Sequence, residues 1–209
     1  MVCHQTYKDD AGEWLYPEHV RFGDSGAATH GETGRPVTIG RSESMSKSKK
    51  NVVDPGAIID RYGADTARWF MLSDSPPERD LEWSDAGAAG ASRFLQRLWK
   101  LIEEGVDGLT DPGTRMPDGD VPDAVATLRG ATHRTIAKVT EDIEQLRFNV
   151  AVAKLYEFTS QVAEAPKTLD ESPLAAWARR EALESLTQLV GPMMPHMAEE
   201  AWALLGHTT

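Results

Sequence analysis

A single cysteine, Cys3, excludes an internal disulfide framework in this 209-residue sequence and fits a reducing cytoplasm. No uninterrupted apolar run approaches the ~20 residues of a membrane helix, and the amino terminus lacks the basic-then-apolar build of a secretory signal. No membrane association is therefore expected. Paired Cys-x-x-Cys knuckles are missing, and Cys3, His4, His19 and His30 lie scattered, so no metal site is expected. Ser44-x-x-Lys47 and Ser46-x-x-Lys49 match the Ser-x-x-Lys pattern of penicillin-binding serine enzymes. That mechanism also needs a Ser-Asp-Asn and a Lys-Thr-Gly element, and neither occurs. An excess of positive charge is lacking too, since 22 Lys and Arg face 33 Asp and Glu. Up to Lys50 the two signs balance, so the rest of the chain carries the whole net charge of −11. Any nucleic-acid contact must come from local basic patches.

What is present is an ordinary globular composition, 40% hydrophobic and 26% charged, long enough for one or two domains. Residues 1–41 read as short strands and turns. Val2 to Tyr7 is a strand, Asp9-Asp10-Ala11-Gly12 a turn, and Glu13 to Tyr16 a return strand. Gly23 to Gly34 reads as a loop or mobile excursion. Val37-Thr38-Ile39 reads as a strand leading into the polar run Ser42 to Asn51, which has no apolar periodicity and reads as a loop.

From Asp54 onward the pattern is helical. Asp54-Pro55 caps a short helix that Gly63 ends, and Asp65 caps the next, which carries Ala67, Trp69, Phe70 and Leu72 up to Pro76-Pro77. Ser84 or Asp85 opens a longer helix with Phe94, Leu95, Leu98 and Ile102 on one stripe, followed by a Gly/Pro/Asp-rich linker over about 105–122. Val125, Leu128, Thr132, Ile136, Val139, Ile143 and Leu146 recur at three and four, a helix of about six turns. Asn149 caps a successor with Val152, Leu155, Thr159 and Val162 inward. Ser172-Pro173 starts a last long helix, broken at Gly191-Pro192 and resumed after Pro195. Met193, Met194 and Met197 read as core filler, and His196 as a packing or capping residue. One-sided helices with short connections predict a mainly α chain, an antiparallel bundle preceded by a small β-rich segment.

The sharpest feature is Ser44-Met45-Ser46-Lys47-Ser48-Lys49-Lys50-Asn51, a loop of small residues bearing three ammonium groups. Lysines beside hydroxyls and loop amides suit a phosphate chain, whereas the plain alternative is a solvated basic loop. The run resembles the second signature of class I aminoacyl-tRNA synthetases, Lys-Met-Ser-Lys-Ser. Its surroundings are similar to the leucyl enzymes of bacterial type: Asn51-Val52-Val53-Asp54-Pro55, Arg61 to Arg68, and above all Phe70 to Trp83. Arg93-Phe94-Leu95, Leu98-Trp99 and Pro195 to Trp202 resemble the anticodon-binding-type bundle that follows the catalytic domain.

The resemblance implies a leucine–tRNA ligase, which activates leucine with ATP and Mg2+ and transfers it to tRNA(Leu), acting as a cytoplasmic monomer. It assigns ATP binding to Ser44, Met45, Ser46, Lys47 and Ser48, with Lys47 as the catalytic cation. Ser44 stands where the family has a lysine, and Lys49 or Lys50 is placed to compensate in part. The family's first signature, His-x-Gly-His, is absent, so the chain is expected to be a fragment that binds no cofactor and is inert alone. Three regions follow: 1–41, a β-rich end of the catalytic region; 42–83, the signature loop and connecting helices; and 84–209, the tRNA-docking bundle. Arg93, Arg97 and Lys100 share one helical face, as do Arg134 and Lys138, and these are the candidate tRNA contacts, to backbone rather than bases. Solvated surface is their plain alternative. A non-catalytic helical RNA-binding or scaffold module is the rival function, and the Lys47 loop separates the two because a scaffold has no need of it.

Overall fold

Strand β1 (Val2–Lys8) is the element around which a small sheet assembles. The structure is a computed structural model that describes residues 2–24 and 26–208. Asp9 turns the chain after β1: its carboxylate accepts the amides of Ala11 (3.0 Å) and Glu13 (2.8 Å), and Gly12 takes the positive φ of +84°. The return strand β2 (Trp14–Leu15) then pairs antiparallel with β1, Tyr7 opposite Leu15.

Strands β3 (Val20–Phe22) and β4 (Ala28–His30) form a separate antiparallel pair with Val20 opposite His30. The sequence predicts a loop throughout 23–34, so the strand at 28–30 is a correction; residue 25 lies outside the described residues. No alternation marks it, and its pairing comes from Val20–Phe22 and from the Val37 amide, which donates to Ala28 O at 2.9 Å. Tyr7, Leu15, Val20, Ala28 and Val37 bury together beneath these strands.

Strand β5 (Thr38–Ser44) pairs antiparallel with β1, Cys3 opposite Ser44 and His4 opposite Glu43. The polar run read as loop from Ser42 is thus strand as far as Ser44, because its backbone completes the ladder of β1. The register slips between Gln5 and Tyr7, and there Gly40 gives Thr6 room: a Cβ on it would lie 2.3 Å from Thr6 Oγ1, so the threonine side chain would have to move. Strand β6 (Leu81–Glu82) adds to β1 in parallel. Helix α1 (Pro55–Tyr62) begins as its sequence predicts, with Asp54 accepting Gly56 N at 3.0 Å and Pro55 in the first turn. These elements form one compact unit, residues up to Ala64 together with Glu78–Gly87.

The second unit comprises Asp65–Pro77 and the chain from Ala88 onward. Its helices are α2 (Ala64–Ser73), α3 (Asp85–Gly105), α4 (Asp123–Glu144), α5 (Phe148–Glu164), α6 (Pro173–Val190) and α7 (Pro195–Leu204), the first residues of α2 and α3 belonging to the other unit. Among the described residues no helix is long and apolar enough to cross a membrane. Trp69 is wholly buried, stacked on Phe94 with centroids 4.8 Å apart, and its indole N–H donates to Tyr156 Oη at 3.0 Å. The predicted stripes supply the core: Leu98, Ile102, Val139, Val152, Leu155, Leu183 and Leu186 are buried, as are Met193, Met194 and Met197. Thr132 and Thr159 fit those stripes because each hydroxyl donates back to the carbonyl one turn earlier, Leu128 at 3.0 Å and Leu155 at 2.7 Å.

The connection 106–122 has no helix or strand yet is pinned to the bundle. Trp177 donates to Thr114 O (2.8 Å), the buried Arg180 donates to Thr110 O, and Arg129 reaches Met116 Sδ (3.4 Å).

Three helix ends differ from expectation. Asp65 does not cap α2. It lies in that helix's first turn and caps α7 instead, accepting Met197 N at 2.7 Å and meeting His196 Nδ1 at 2.9 Å. Asn149 is not a cap either, since α5 starts at Phe148 with Arg147 before it. Leu146 leaves the α4 stripe and is 59% exposed. The reason is Asp142, a buried carboxylate held by the Arg147 guanidinium at 2.6 Å. To bring Arg147 back, the chain closes α4 with the paired bonds Arg147 N to Asp142 O and Leu146 N to Ile143 O, which puts Leu146 at φ +58°. Glycine is the residue that favours that conformation. Leu146→Gly is expected to stabilise the chain by about 1 kcal/mol and raise Tm by roughly 2–4 °C, read by thermal denaturation. A fall in Tm would show that the exposed leucine makes a contact worth more than the strain.

Candidate functional site

The lysine-rich loop is built on the end of β5. Met45 N donates to Val2 O at 3.1 Å, extending the ladder by one residue, and the chain then makes a single 3-10 turn over Lys47–Lys49. Lys50 follows in the left-handed region at φ +54°, a conformation that reverses the chain toward Asn51. The hydroxyls of Ser46 and Ser48 lie 2.8 Å apart and hydrogen bond to one another.

The three lysines part company in space. Lys49 pairs with Glu43 on β5, and Glu43 also takes Arg41 Nε at 2.9 Å. The hydrogen bond from Lys49, followed by that from Arg41, holds the Glu43 carboxyl below the usual carboxylate range. Lys50 lies over the ring of Tyr16, 5.7 Å from its centroid. Lys47 is exposed, and among the described residues no carboxylate lies within ion-pair distance of it. Ser44, at the strand end, is exposed as well. An ammonium without an ion-pair partner among the described residues, flanked in sequence by two serines, is available to an anion from solvent.

Asn51 is wholly buried, and sequence reading gave its side chain no role. Its Oδ1 accepts Ser46 N at 2.9 Å, and its Nδ2 donates to His4 O and Glu43 O at 3.1 Å and to Ser44 O at 3.4 Å. Nothing in a single sequence separates such an asparagine from a solvated one.

In the bundle, Arg93, Arg97 and Lys100 are all exposed along α3. Arg97 donates to Ser160 Oγ on α5 at 2.8 Å, and Lys100 lies 3.5 Å from Glu104. On α4, Arg134 is exposed at the rim of a shallow apolar cleft with Leu128, Ala131 and Ala165, and Lys138 pairs with Glu141 at 3.0 Å. Lys138, by hydrogen bond and then charge, holds the Glu141 carboxyl below the ordinary range. Exposed pairs of this kind are screened by solvent and contribute little, so they leave these cations free to exchange partners.

The lysine-rich loop with its flanking elements, and the helical bundle, each match a known family of class I aminoacyl-tRNA synthetases or tRNA ligases. The family described as tRNA synthetases class I (I, L, M and V) matches residues 37–84, and the anticodon-binding domain of tRNA ligase matches residues 126–209. Within that class the chain matches, as a segment, the leucine–tRNA ligases. It is 54% identical over 206 residues to the leucine–tRNA ligase of Paramagnetospirillum magneticum, covering 99% of this chain and 23% of that protein. It is also 54% identical over 211 residues to that of Parvibaculum lavamentivorans, covering 99% and 24%. The chain thus spans about a quarter of the length of the curated relatives it matches. Among solved structures it resembles the agnB2 LeuRS–tRNA–LeuAMS ternary complex of Agrobacterium radiobacter K84, with a TM-score of 0.70 and 28% identity over 80% of this chain and 21% of that one. Methionyl-tRNA synthetase of Mycobacterium tuberculosis bound by methionyl-adenylate shares the fold, with a TM-score of 0.64 at 13% identity over 99% of this chain and 71% of that one.

Proposed function

We propose that the protein carrying this chain activates leucine with ATP, releasing pyrophosphate, and transfers the leucyl group to tRNA(Leu) as a cytoplasmic monomer. The observation that carries this reading is the near-complete match of the chain to leucine–tRNA ligases. The availability of Lys47, with Lys49 and Lys50 engaged elsewhere, supports its role as the cation that meets the phosphates of ATP. Ser44, Met45, Ser46 and Ser48 would line the same phosphate chain with amides and hydroxyls. In the complete enzyme Mg2+ would enter with ATP, as part of the nucleotide substrate.

The bundle is proposed to meet the tRNA backbone through Arg93, Arg97 and Lys100 on α3 and Arg134 and Lys138 on α4. The tRNA named in the ternary complex of the Agrobacterium relative supports that partner class. Contacts to phosphates release counterions, so affinity falls with salt, and each lost cation makes the slope shallower.

The experiment uses a full-length leucine–tRNA ligase carrying this segment. Pyrophosphate exchange is expected with leucine and not with isoleucine, valine or methionine. Replacing Arg93, Arg97 and Lys100 by alanine should leave exchange intact while raising the tRNA KM roughly tenfold and flattening its salt dependence. Absent leucine-dependent exchange would overturn the ligase reading. A triple variant that melts earlier with an unchanged tRNA KM and salt slope would return those cations to a structural role.

A further inference from the structure

We propose that Asn51 is the positioning residue of the lysine loop, its carboxamide fixing the backbone from which Lys47 projects. The proposal rests on the reading of residues 44–48 as the ATP-phosphate loop.

The geometry around Asn51 admits little else. Ser46 N presents a donor, while His4, Glu43 and Ser44 present carbonyl acceptors, so the site needs an acceptor on one side and an NH2 on the other. A carboxamide supplies both. Aspartate, the same shape, would set an anion against three carbonyl oxygens. Alanine would take from the Ser46 amide and from these part-buried carbonyls the side-chain partner that Asn51 provides. Glutamine would add a methylene where the side chain already has no solvent-accessible surface.

Four points of the backbone are tied through this one side chain: β1 at His4, β5 at Glu43 and Ser44, and the loop at Ser46. Ser46 is the residue immediately before Lys47 and starts the 3-10 turn, and its own side chain provides no cap there. At the other end, the left-handed Lys50 delivers the chain to Asn51. Both ends of the turn are therefore fixed at a single buried group. Lys47 has no ion-pair partner among the described residues to hold its ammonium, so its placement is inherited from the backbone. Loosening that backbone by about 1 Å is enough to reduce catalysis substantially.

The test compares Asn51→Ala and Asn51→Asp, each alone and combined with Lys47→Ala, in the full-length ligase. Each Asn51 variant is expected to lower kcat for leucine-dependent pyrophosphate exchange roughly tenfold or more, with a smaller effect on the ATP KM. In the Lys47→Ala background the same substitutions should cost little further, because the group they position is already gone. An equal loss in both backgrounds would make Asn51 a general structural residue and overturn the proposal, as would normal exchange by both single variants. Normal exchange by Lys47→Ala would instead remove Lys47 from the phosphate-binding role, and the positioning proposal with it. Hydrogen–deuterium exchange covers variants that fold poorly. Faster exchange confined to residues 44–50 supports the proposal, whereas equal loosening of residues 2–8 shows that the amide holds the sheet and overturns it.

Discussion

In the full-length ligase carrying this segment, Lys47→Ala is expected to lower the rate of leucine-dependent pyrophosphate exchange by roughly a hundredfold to a thousandfold, the usual cost of one preorganised donor. When the leucine carboxylate attacks the α-phosphate, negative charge shifts onto the departing pyrophosphate. A cation fixed against that charge stabilises the transition state more than the bound substrate, so kcat should fall much further than leucine affinity. Replacement from within the loop is not expected. Lys49 is engaged by Glu43 and Lys50 lies over Tyr16, so each would have to abandon a partner. Ser44 offers no charge in compensation. A near-normal rate in Lys47→Ala, combined with a large loss in Lys49→Ala, would move the role to Lys49.

The second large effect concerns stability. Asp65→Ala should destabilise the helical unit by about 2–3 kcal/mol, since it removes a cap and leaves the buried Met197 amide without an acceptor. For a chain of this size that corresponds to a Tm lower by roughly 5–10 °C. Two neighbouring bonds concentrate the load at this corner: Arg68 donates to Pro192 O at 2.8 Å and to Met193 O at 3.1 Å, so one face of α2 holds the whole turn between α6 and α7. His196→Ala should cost far less, because that ring is largely exposed and the Met197 amide keeps its acceptor. If thermal melts of Asp65→Ala and wild type coincide, water has replaced the carboxylate and the cap contributes nothing.

Helix faces were legible in the sequence because a helix buries residues by local spacing alone. Val152, Leu155, Thr159 and Val162 recur at three and four, and all are buried. The caps Asp54 and Ser172 were legible for the same reason, each accepting an amide two or three residues on. Asp65 was not, because its partner stands 132 residues away, and an aspartate two residues after a glycine reads as the cap of its own helix. The strand at 28–30 lacks alternation and exists through its partners. At the candidate site, the loop and its chemistry were visible as small residues and lysines without periodicity. Which lysine faces solvent was not, for Lys47, Lys49 and Lys50 are chemically the same and differ only in having Glu43 or Tyr16 nearby. The central amide of Asn51 escaped notice because burial of a polar side chain in a loop leaves no trace in composition.

The connection between α3 and α4 has a consequence of its own. Left free, residues 106–122 would wander as one long arc, with a closure entropy that grows only slowly with length and exerts almost no restoring force. The side chains of Arg180, Trp177 and Arg129 divide that arc at Thr110, Thr114 and Met116 into pieces of a few residues. Short arcs are stiff. A push on α3 is therefore passed to α4 and α6 instead of being absorbed between them, and the segment that reads as a tether behaves as a strut.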